Sequence, residues 1–333
     1  MQNSHMEERE FVVCAQGLLF AGRQILLRTN APKIAGYVSD FFPAYDMATD
    51  HSAGPAAEIT LMITEGESTA GDGFPWFRGR GEFAVAQFTP DDTLWFNLRA
   101  RRVFGSFSAA VANDRERWRR HIFPTLFGIL AAAVDVAPVH AACLARDTGG
   151  LLLAAPSGTG KSTLAVALGR RGYTFLSDDW TCLALEEGVI RASGFPMPVK
   201  LLPDADRFFP ELRSYRTGIS LNGELAFEVS PVDCFGLQRV RSCAVTCIIL
   251  LERTGRTGCD ISEIDFDEAA QHLIAEIEPL EGSLAACYER QIDLIHHLKG
   301  AACFRLHFDE NPDVVAEELD AVCGPWIRHE HRS

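Results

Sequence analysis

A glycine-rich loop at residues 155–162 constrains the fold of this chain more than any other feature. An apolar run at residues 151–154 precedes it, and residues 162–170 follow with leucine and alanine at helical spacing. A strand, a glycine-rich turn and a helix in this order form an anion site, because the N–H groups of the turn and of the first helical turn converge on one point. The pattern predicts an α/β domain built around these three elements.

The residues of the loop suit the phosphates of ATP. Gly158 and Gly160 let the backbone approach a phosphate, Lys161 can reach the β- and γ-phosphates, and the Ser162 hydroxyl is placed to hold Mg²⁺. The predicted nucleotide-binding residues are Ala155, Pro156, Ser157, Gly158, Thr159, Gly160, Lys161, Ser162 and Thr163. The alternative is a chance match in an ordinary strand, loop and helix. The motif alone does not separate a kinase from an ATPase or a nucleotide-dependent switch.

Two adjacent carboxylates, Asp178 and Asp179, follow the next predicted strand at residues 173–177. In P-loop folds this strand end faces the phosphates. Because neighbours in an extended chain point to opposite sides, one carboxylate can support the metal ion while the other accepts the proton of an attacking hydroxyl. The alternative for this pair is a turn that only ends the strand.

His140 opens a strand predicted at residues 139–145. A hairpin at residues 147–150 pairs this strand with the one that enters the loop, which brings the imidazole towards the Asp178–Asp179 edge. A lone histidine in an apolar strand is usually structural, so the residues alone leave both a catalytic and a structural role open.

These segments together resemble the catalytic domain of HPr kinase/phosphorylase. The matching runs are residues 139–144, 157–162 and 171–179. The chain looks closer still to the HPr-kinase-related P-loop proteins, which include kinases that phosphorylate serine in ribosomally made peptide precursors such as lasso peptides. The resemblance implies an α/β fold with a P-loop kinase core of the HPr kinase C-terminal type, here preceded by an N-terminal α+β domain.

The resemblance also implies roles for individual residues. It makes His140, Lys161 and Asp179 catalytic, with Asp179 as the proton acceptor, and gives Ser162 a part in binding Mg²⁺. It implies that Asp178 supports either the metal ion or His140, so Asp178 joins the predicted catalytic and metal-binding sets. The sequence does not separate the roles of the two aspartates.

One downstream segment departs from the family pattern. The HPr enzymes carry a Glu-x-Arg-Gly-type segment that supplies a metal-binding glutamate, and the nearest stretch here is residues 211–218, so Glu211 is the candidate metal ligand. The segment used for HPr recognition and phosphorolysis is not recognisable, which argues against action on HPr itself and against the reverse reaction. Arg253 or Arg256, after an apolar strand pattern at residues 245–252, is a candidate to approach a phosphate.

The chain is predicted to contain an N-terminal α+β domain at residues 1–113, a connecting helix at 114–137 and the catalytic domain at 138–333. Short strand patterns, a helical pattern at 32–42 and a helix-capping Asp114 support the first two parts. In the catalytic domain, patterns at 267–277, 284–299 and 312–323 predict helices, and the pattern at 303–308 predicts a strand.

Composition excludes several kinds of partner. The net charge of -14 and the lack of a basic stripe argue against nucleic acid. The most apolar long stretch, residues 122–137, is interrupted by Pro124, Gly128 and Asp135 and is too short to span a membrane.

Ten cysteines without a Cys-x-x-Cys pair predict buried thiols in a reducing cytoplasm. The N-terminus has no apolar signal core, and the sequence leaves homo-oligomer formation open.

The leading hypothesis is a cytoplasmic, ATP- and Mg²⁺-dependent kinase that transfers the γ-phosphoryl group to a hydroxyl, with serine of a peptide or small protein as the expected acceptor. One alternative is a nucleotide-binding sensor or accessory protein with little catalysis. Another is a small-molecule kinase that acts on an amino acid or a sugar. The irregular segment 191–222 is a candidate acceptor site or a plain structural connection.

Overall fold

The fold is mixed α/β, and the computed structural model describes residues 13–45, 54–65, 76–220, 223–255 and 257–328. The chain divides into two compact units. The first holds the residues up to Asp135 together with Pro279–Arg290, and the second holds Val136–Glu278 together with the residues from Gln291 onward. The segment predicted as a connecting helix therefore belongs to the first unit as far as Asp135.

The first unit contains an eight-stranded sheet in the order β3-β1-β2-β4-β8-β7-β6-β5. Its strands are β1 Cys14–Phe20, β2 Arg23–Thr29, β3 Ala44–Tyr45, β4 Ala57–Thr64, β5 Trp76–Arg80, β6 Phe83–Gln87, β7 Thr93–Asn97 and β8 Arg102–Ser108. Its helices are α1 Pro32–Phe41, α2 Ala109–Ala112, α3 Arg115–Arg117 and α4 Phe123–Ala131, with a π-helical turn at Trp118–Ile122 and a 3-10 turn at Ala132–Val134.

Aromatic packing holds this unit together. Phe20, Phe42 and Phe127 lie with ring centroids 4.2 to 5.9 Å apart, a spacing typical of favourable aromatic pairs. The Asp114 carboxylate accepts the N–H of Arg117 at 2.9 Å, which confirms the predicted helix cap. A further strand pattern began at Phe11, which lies outside the described residues.

The second unit contains another eight-stranded sheet and a three-stranded sheet in the order β14-β16-β15. Its strands are β9 Ala137–Arg146, β10 Gly149–Ala154, β11 Thr174–Ser177, β12 Trp180–Glu186, β13 Val189–Gly194, β14 Val199–Leu201, β15 Gly218–Ile219, β16 Leu225–Val229, β17 Ser242–Arg253, β18 Cys259–Glu263 and β19 Ala302–Phe308. The helices that follow α4 along the chain are α5 Lys161–Arg170, α6 Pro231–Phe235, α7 Phe266–Ala275, α8 Ala285–His296 and α9 Pro312–Arg328, with 3-10 turns at Pro203–Arg207, Pro210–Ser214 and Gly282–Leu284.

The direction of the strands decides where a ligand can bind in this unit. β10, β17 and β19 run parallel, so their carboxyl ends share one edge of the sheet, the edge at which open α/β sheets bind ligands. α5 and α9 bury apolar residues against one face of these strands. α7 lies on the opposite face, where its Glu268 pairs with Arg305 of β19.

The last helix is longer than its sequence pattern predicts. The pattern predicted its end at residue 323, but α9 continues through Gly324 and Pro325 to Arg328. Ile327 is 1% exposed, and burying such a side chain contributes about 1.5 to 3 kcal/mol. This opposes the cost of about 3 kcal/mol that Pro325 brings inside the helix through its missing N–H and the clash of its ring. Among the described residues, no helix combines the length and the apolar character needed to cross a membrane.

Candidate functional site

The loop between β10 and α5 is built to approach an anion. Gly158 and Gly160 have φ angles of 81° and 112°, which side-chain-bearing residues rarely adopt. The first helical hydrogen bond runs from the Leu164 N–H to the Gly160 carbonyl at 2.9 Å. The N–H groups of the first turn of α5 therefore point past the helix end, where the helix dipole also favours negative charge.

Lys161 lies inside the curve of this loop. Its side chain is almost fully buried, and its Nζ donates to the Ala155 carbonyl at 2.6 Å and to the Pro156 carbonyl at 3.4 Å. Burial lowers the pKa of Lys161, while the carboxylates of Asp179, Glu276 and Asp178 act in the opposite direction. The Lys161 ammonium group thus donates to carbonyl oxygens, and the charges of three carboxylates favour its protonated form.

Asp178 forms the buried part of the site. Its side chain is 5% exposed, and its Oδ2 accepts the N–H of Lys200 at 3.1 Å. Burial raises the pKa of Asp178 to about 6; the charge of Asp179 adds to this effect, and hydrogen bonds from the Lys200 N–H and the Ser162 hydroxyl oppose it. The structure thus brings two predicted metal ligands, Ser162 and Asp178, into contact.

This donor pair fits Mg²⁺. A hydroxyl and a carboxylate are hard oxygen ligands, and Mg²⁺ in nucleotide sites takes few protein ligands because phosphate oxygens and water complete its shell. Within the described ranges, no group of three or more His, Cys, Asp and Glu side chains is arranged to hold a metal ion by itself.

Asp179 and His140 form the open part of the site. His140 lies opposite Trp180 in the antiparallel pairing of β9 with β12, and its Nε2 is 2.6 Å from the Asp179 Oδ1. The Asp179 side chain is 57% exposed. Burial alone would raise the pKa of Asp179, but the hydrogen bond from His140 and the charges of Lys161 and Lys200 hold it below its ordinary value.

Glu276 belongs to the same cluster, although the sequence patterns did not single it out. It follows the last residue of α7, and its Oε2 is 3.5 Å from the Nδ1 of His140. The one available signal was its position, because the helix dipole disfavours a carboxylate at a helix C-terminus. The structure thus places a carboxylate beside each ring nitrogen of His140.

Glu211 is the predicted site residue that the structure does not bring to this cluster. Its carboxylate pairs with Arg170, the last residue of α5, about 14 Å along the helix from Lys161 at a rise of 1.5 Å per residue. Since its charge is balanced there, the assignment of Glu211 as a metal ligand is not retained.

Arg253 reaches the loop from the end of β17. Its Nε donates to the Thr159 carbonyl at 2.9 Å, and its Nη1 to Asp309 at 2.9 Å. The other arginine considered for a phosphate contact, Arg256, lies outside the described residues. Arg253 therefore supports the loop backbone from the side of β17.

The arrangement combines four chemical functions at one edge of the sheet. The loop offers N–H donors for phosphates, and Lys161 adds a cation beside them. Ser162 with Asp178 offers oxygen ligands for a divalent metal ion. Asp179 with His140 offers an accessible base, as the acceptor side of phosphoryl transfer requires.

Comparisons with known proteins add little to this description. No protein-family model matches the chain, and no curated protein matches it. A solved structure that it resembles is that of the HPr(Ser) kinase/phosphatase from Coxiella burnetii, with 17% sequence identity, a TM-score of 0.31, and coverage of 58% of this chain and 99% of that chain. The assignment of function therefore rests on the side chains described above.

Proposed function

We propose that this chain is an ATP-dependent kinase with a P-loop core of the HPr kinase C-terminal type, and that it transfers the γ-phosphoryl group to a hydroxyl, with serine of a peptide or small protein as the acceptor. The observation that carries the proposal is the meeting of two half-sites at Lys161. Asp178 contacts the Ser162 hydroxyl of the loop, and the adjacent Asp179 has its Oδ1 2.6 Å from the Nε2 of His140. Both carboxylates act to raise the pKa of Lys161. A nucleotide side and an acceptor side therefore adjoin.

On the nucleotide side, the loop N–H groups bind the phosphates and Lys161 neutralises charge on the β- and γ-phosphates. To do so, the Nζ of Lys161 gives up its hydrogen bond to the Ala155 carbonyl and donates to a phosphate oxygen instead. Ser162 and Asp178 would hold Mg²⁺, which supplies charge neutralisation between the phosphates. A bound cation would also keep the buried Asp178 carboxyl ionised.

On the acceptor side, the hydroxyl oxygen attacks the γ-phosphorus in line with the departing ADP. The bond from that phosphorus to the oxygen it shares with the β-phosphate breaks, and the electron pair leaves with ADP. Asp179 takes the hydroxyl proton, for which its lowered pKa and exposed position suit it. His140 orients the Asp179 carboxylate through the 2.6 Å contact.

We place the protein in the cytoplasm. All ten cysteines are free thiols, a state that a reducing compartment maintains and that suits an enzyme using cellular ATP.

The test is phosphoryl transfer from MgATP to separate sets of serine peptides, amino acids and sugars, read as a mass gain of one phosphoryl group. A Lys161→Ala variant should transfer on the order of 10²–10³-fold more slowly, the usual loss when one charge-stabilising donor is removed. Lys299→Ala, at an exposed lysine, is the matched control and should equal the wild type. A Lys161→Ala variant as fast as the wild type would overturn the mechanism.

One observation favours a second candidate, a nucleotide-binding sensor with little catalysis. Because Glu211 is paired with Arg170, it does not supply the site with the downstream metal-binding glutamate that the HPr enzymes carry. Tight ATP binding without turnover, together with capture of a partner only when ATP is present, would favour the sensor. Transfer to an amino acid or sugar instead of a peptide would identify a small-molecule kinase.

A further inference from the structure

Glu276 is held firmly at the edge of the site. The neighbouring residues Leu273 and Ile277 are 1% and 4% exposed, and α7 packs against β9, β17 and β19. At the end of the helix, the N–H of Glu276 donates to the carbonyls of Ile274 and Leu273. The backbone of Glu276 is therefore fixed, and its side chain extends from a rigid element towards β9.

The contacts of His140 show what this side chain can do. Asp179 Oδ1 lies 2.6 Å from Nε2 and Glu276 Oε2 lies 3.5 Å from Nδ1. A ring with a polar partner at only one nitrogen can rotate or flip, whereas a carboxylate beside each nitrogen restrains both its plane and its direction. The same carboxylate also acts on Lys161 across the site.

The position of Glu276 is unfavourable for helix stability alone. A carboxylate at the C-terminal end of a helix meets the negative end of the helix dipole. Rules of this kind tend to be broken at functional sites, where another requirement decides the residue. The contact with His140 supplies such a requirement.

We propose that Glu276 is a positioning residue for phosphoryl transfer: it holds Nδ1 of His140, so that Nε2 stays directed at Asp179 and the Asp179 carboxylate keeps its orientation towards the acceptor hydroxyl. This inference rests on the proposed kinase function. The competing interpretation is an ion pair that only fastens α7 to β9 and has no effect on the reaction.

The kinetic test compares Glu276→Ala, Glu276→Gln and the control Glu278→Ala, an exposed glutamate two positions away. Glu276→Ala should lower kcat about tenfold and leave KM for ATP within about twofold, because misorientation of a reacting group slows the chemical step without weakening nucleotide binding. Glu276→Gln should recover most of the lost rate, since its amide oxygen can still lie beside Nδ1. Glu278→Ala should match the wild type.

A second readout needs no acceptor and no turnover. The ring-nitrogen NMR signals of His140, assigned by their loss in His140→Gln, should shift in Glu276→Ala and keep nearly their wild-type positions in Glu276→Gln and Glu278→Ala. Shifts of this kind would support the contact between Glu276 and the His140 ring even if no acceptor were ever phosphorylated. Failure to phosphorylate any acceptor would count against the kinase proposal alone. An unchanged kcat and unchanged ring signals in Glu276→Ala, with transfer intact in the wild type, would overturn the positioning role. A lower melting temperature with unchanged kcat would also overturn it, because it would show a fastening role only.

Discussion

The buried side of the site, at Asp178, and its open side, at Asp179, differ more than their adjacency in the chain suggests. Asp178 is 5% exposed and accepts hydrogen bonds from the Lys200 N–H and the Ser162 hydroxyl. Asp179 has a side chain that is 57% exposed and contacts His140. Burial raises the pKa of the first. For the second, burial is opposed by the hydrogen bond and charge of His140 and by the charges of Lys161 and Lys200, which together lower the pKa of Asp179.

This difference separates two roles that the sequence left undivided. A buried carboxylate next to a hydroxyl needs a cation to hold its charge, which suits a metal ligand. An exposed carboxylate that stays ionised at neutral pH and lies beside an imidazole suits a proton acceptor. Chain direction produces the split, because adjacent residues after a strand point to opposite sides.

Asp179→Asn tests the open side and has the largest expected effect. The variant should lower kcat for transfer by about 10²- to 10⁴-fold, the usual contribution of a positioned acid or base. The affinity for ATP should stay within about threefold of wild type, because the proposed mechanism puts Asp179 on the acceptor side. Steady-state kinetics together with calorimetric nucleotide titration measure both quantities.

Asp40→Asn, at an exposed aspartate that pairs with Arg115, is the matched control and should leave both quantities unchanged. A variant of Asp179 that keeps more than about a tenth of the wild-type kcat would remove the division of roles, since general-base contributions are usually larger than that.

Asp178→Asn tests the buried side through stability. The folded protein binds the Asp178 proton more tightly than the unfolded chain does, because burial raises this pKa to about 6 from an ordinary value of about 3.9. This contribution to the free energy of unfolding is present below about pH 4 and is lost as the pH rises to about 6. A difference of about 2 pKa units corresponds to about 3 kcal/mol, so Asp178→Asn, which removes the loss, should stabilise the metal-free protein at pH 7 by up to about 3 kcal/mol.

The measurement is urea unfolding of both proteins between pH 4 and 7 with a chelator present. The advantage of the variant should grow across that interval, while groups common to both proteins cancel in the difference. A stability difference that does not depend on pH would show that the Asp178 carboxylate carries no burial penalty.

Local patterns predicted much of the second unit correctly. The loop and α5 follow from glycine placement and helical periodicity. β17 follows from its apolar run, and β19 from the alternation of apolar residues with Arg305 and His307. The strands β12 to β16 were not predicted, because the glycines and prolines between them are typical of loops. β14 and β15 are also only three and two residues long. Pairing with β9 and β17 creates β12 and β13, and such pairing is not visible in a local window.

The site shows the same limit. Hairpin geometry was enough to predict that His140 approaches the aspartates, and the structure shows the contact with Asp179. The contact with Glu276 depends on the packing of α7, a distant element, so no local pattern specifies it. The expectation for Glu211 came from a family resemblance rather than from a structural argument, and the 3-10 turn that carries Glu211 lies against the far end of α5.

Glu211→Gln sharpens the comparison from outside the cluster and has the smallest expected effect. The substitution removes a carboxylate that pairs with Arg170, whose guanidinium also stacks over Phe209 at 4.7 Å. A partly exposed ion pair contributes about 0 to 1 kcal/mol, and the ring contact keeps Arg170 in place. The transfer rate and the Mg²⁺ concentration required should therefore stay within about twofold of wild type. The substitution is at the end of α5 far from Ser162 and changes no group near it. The measurement is a titration of activity with Mg²⁺. If the variant required at least tenfold more Mg²⁺, Glu211 would be a metal ligand after all. The buried side of the cluster would then contain a second carboxylate.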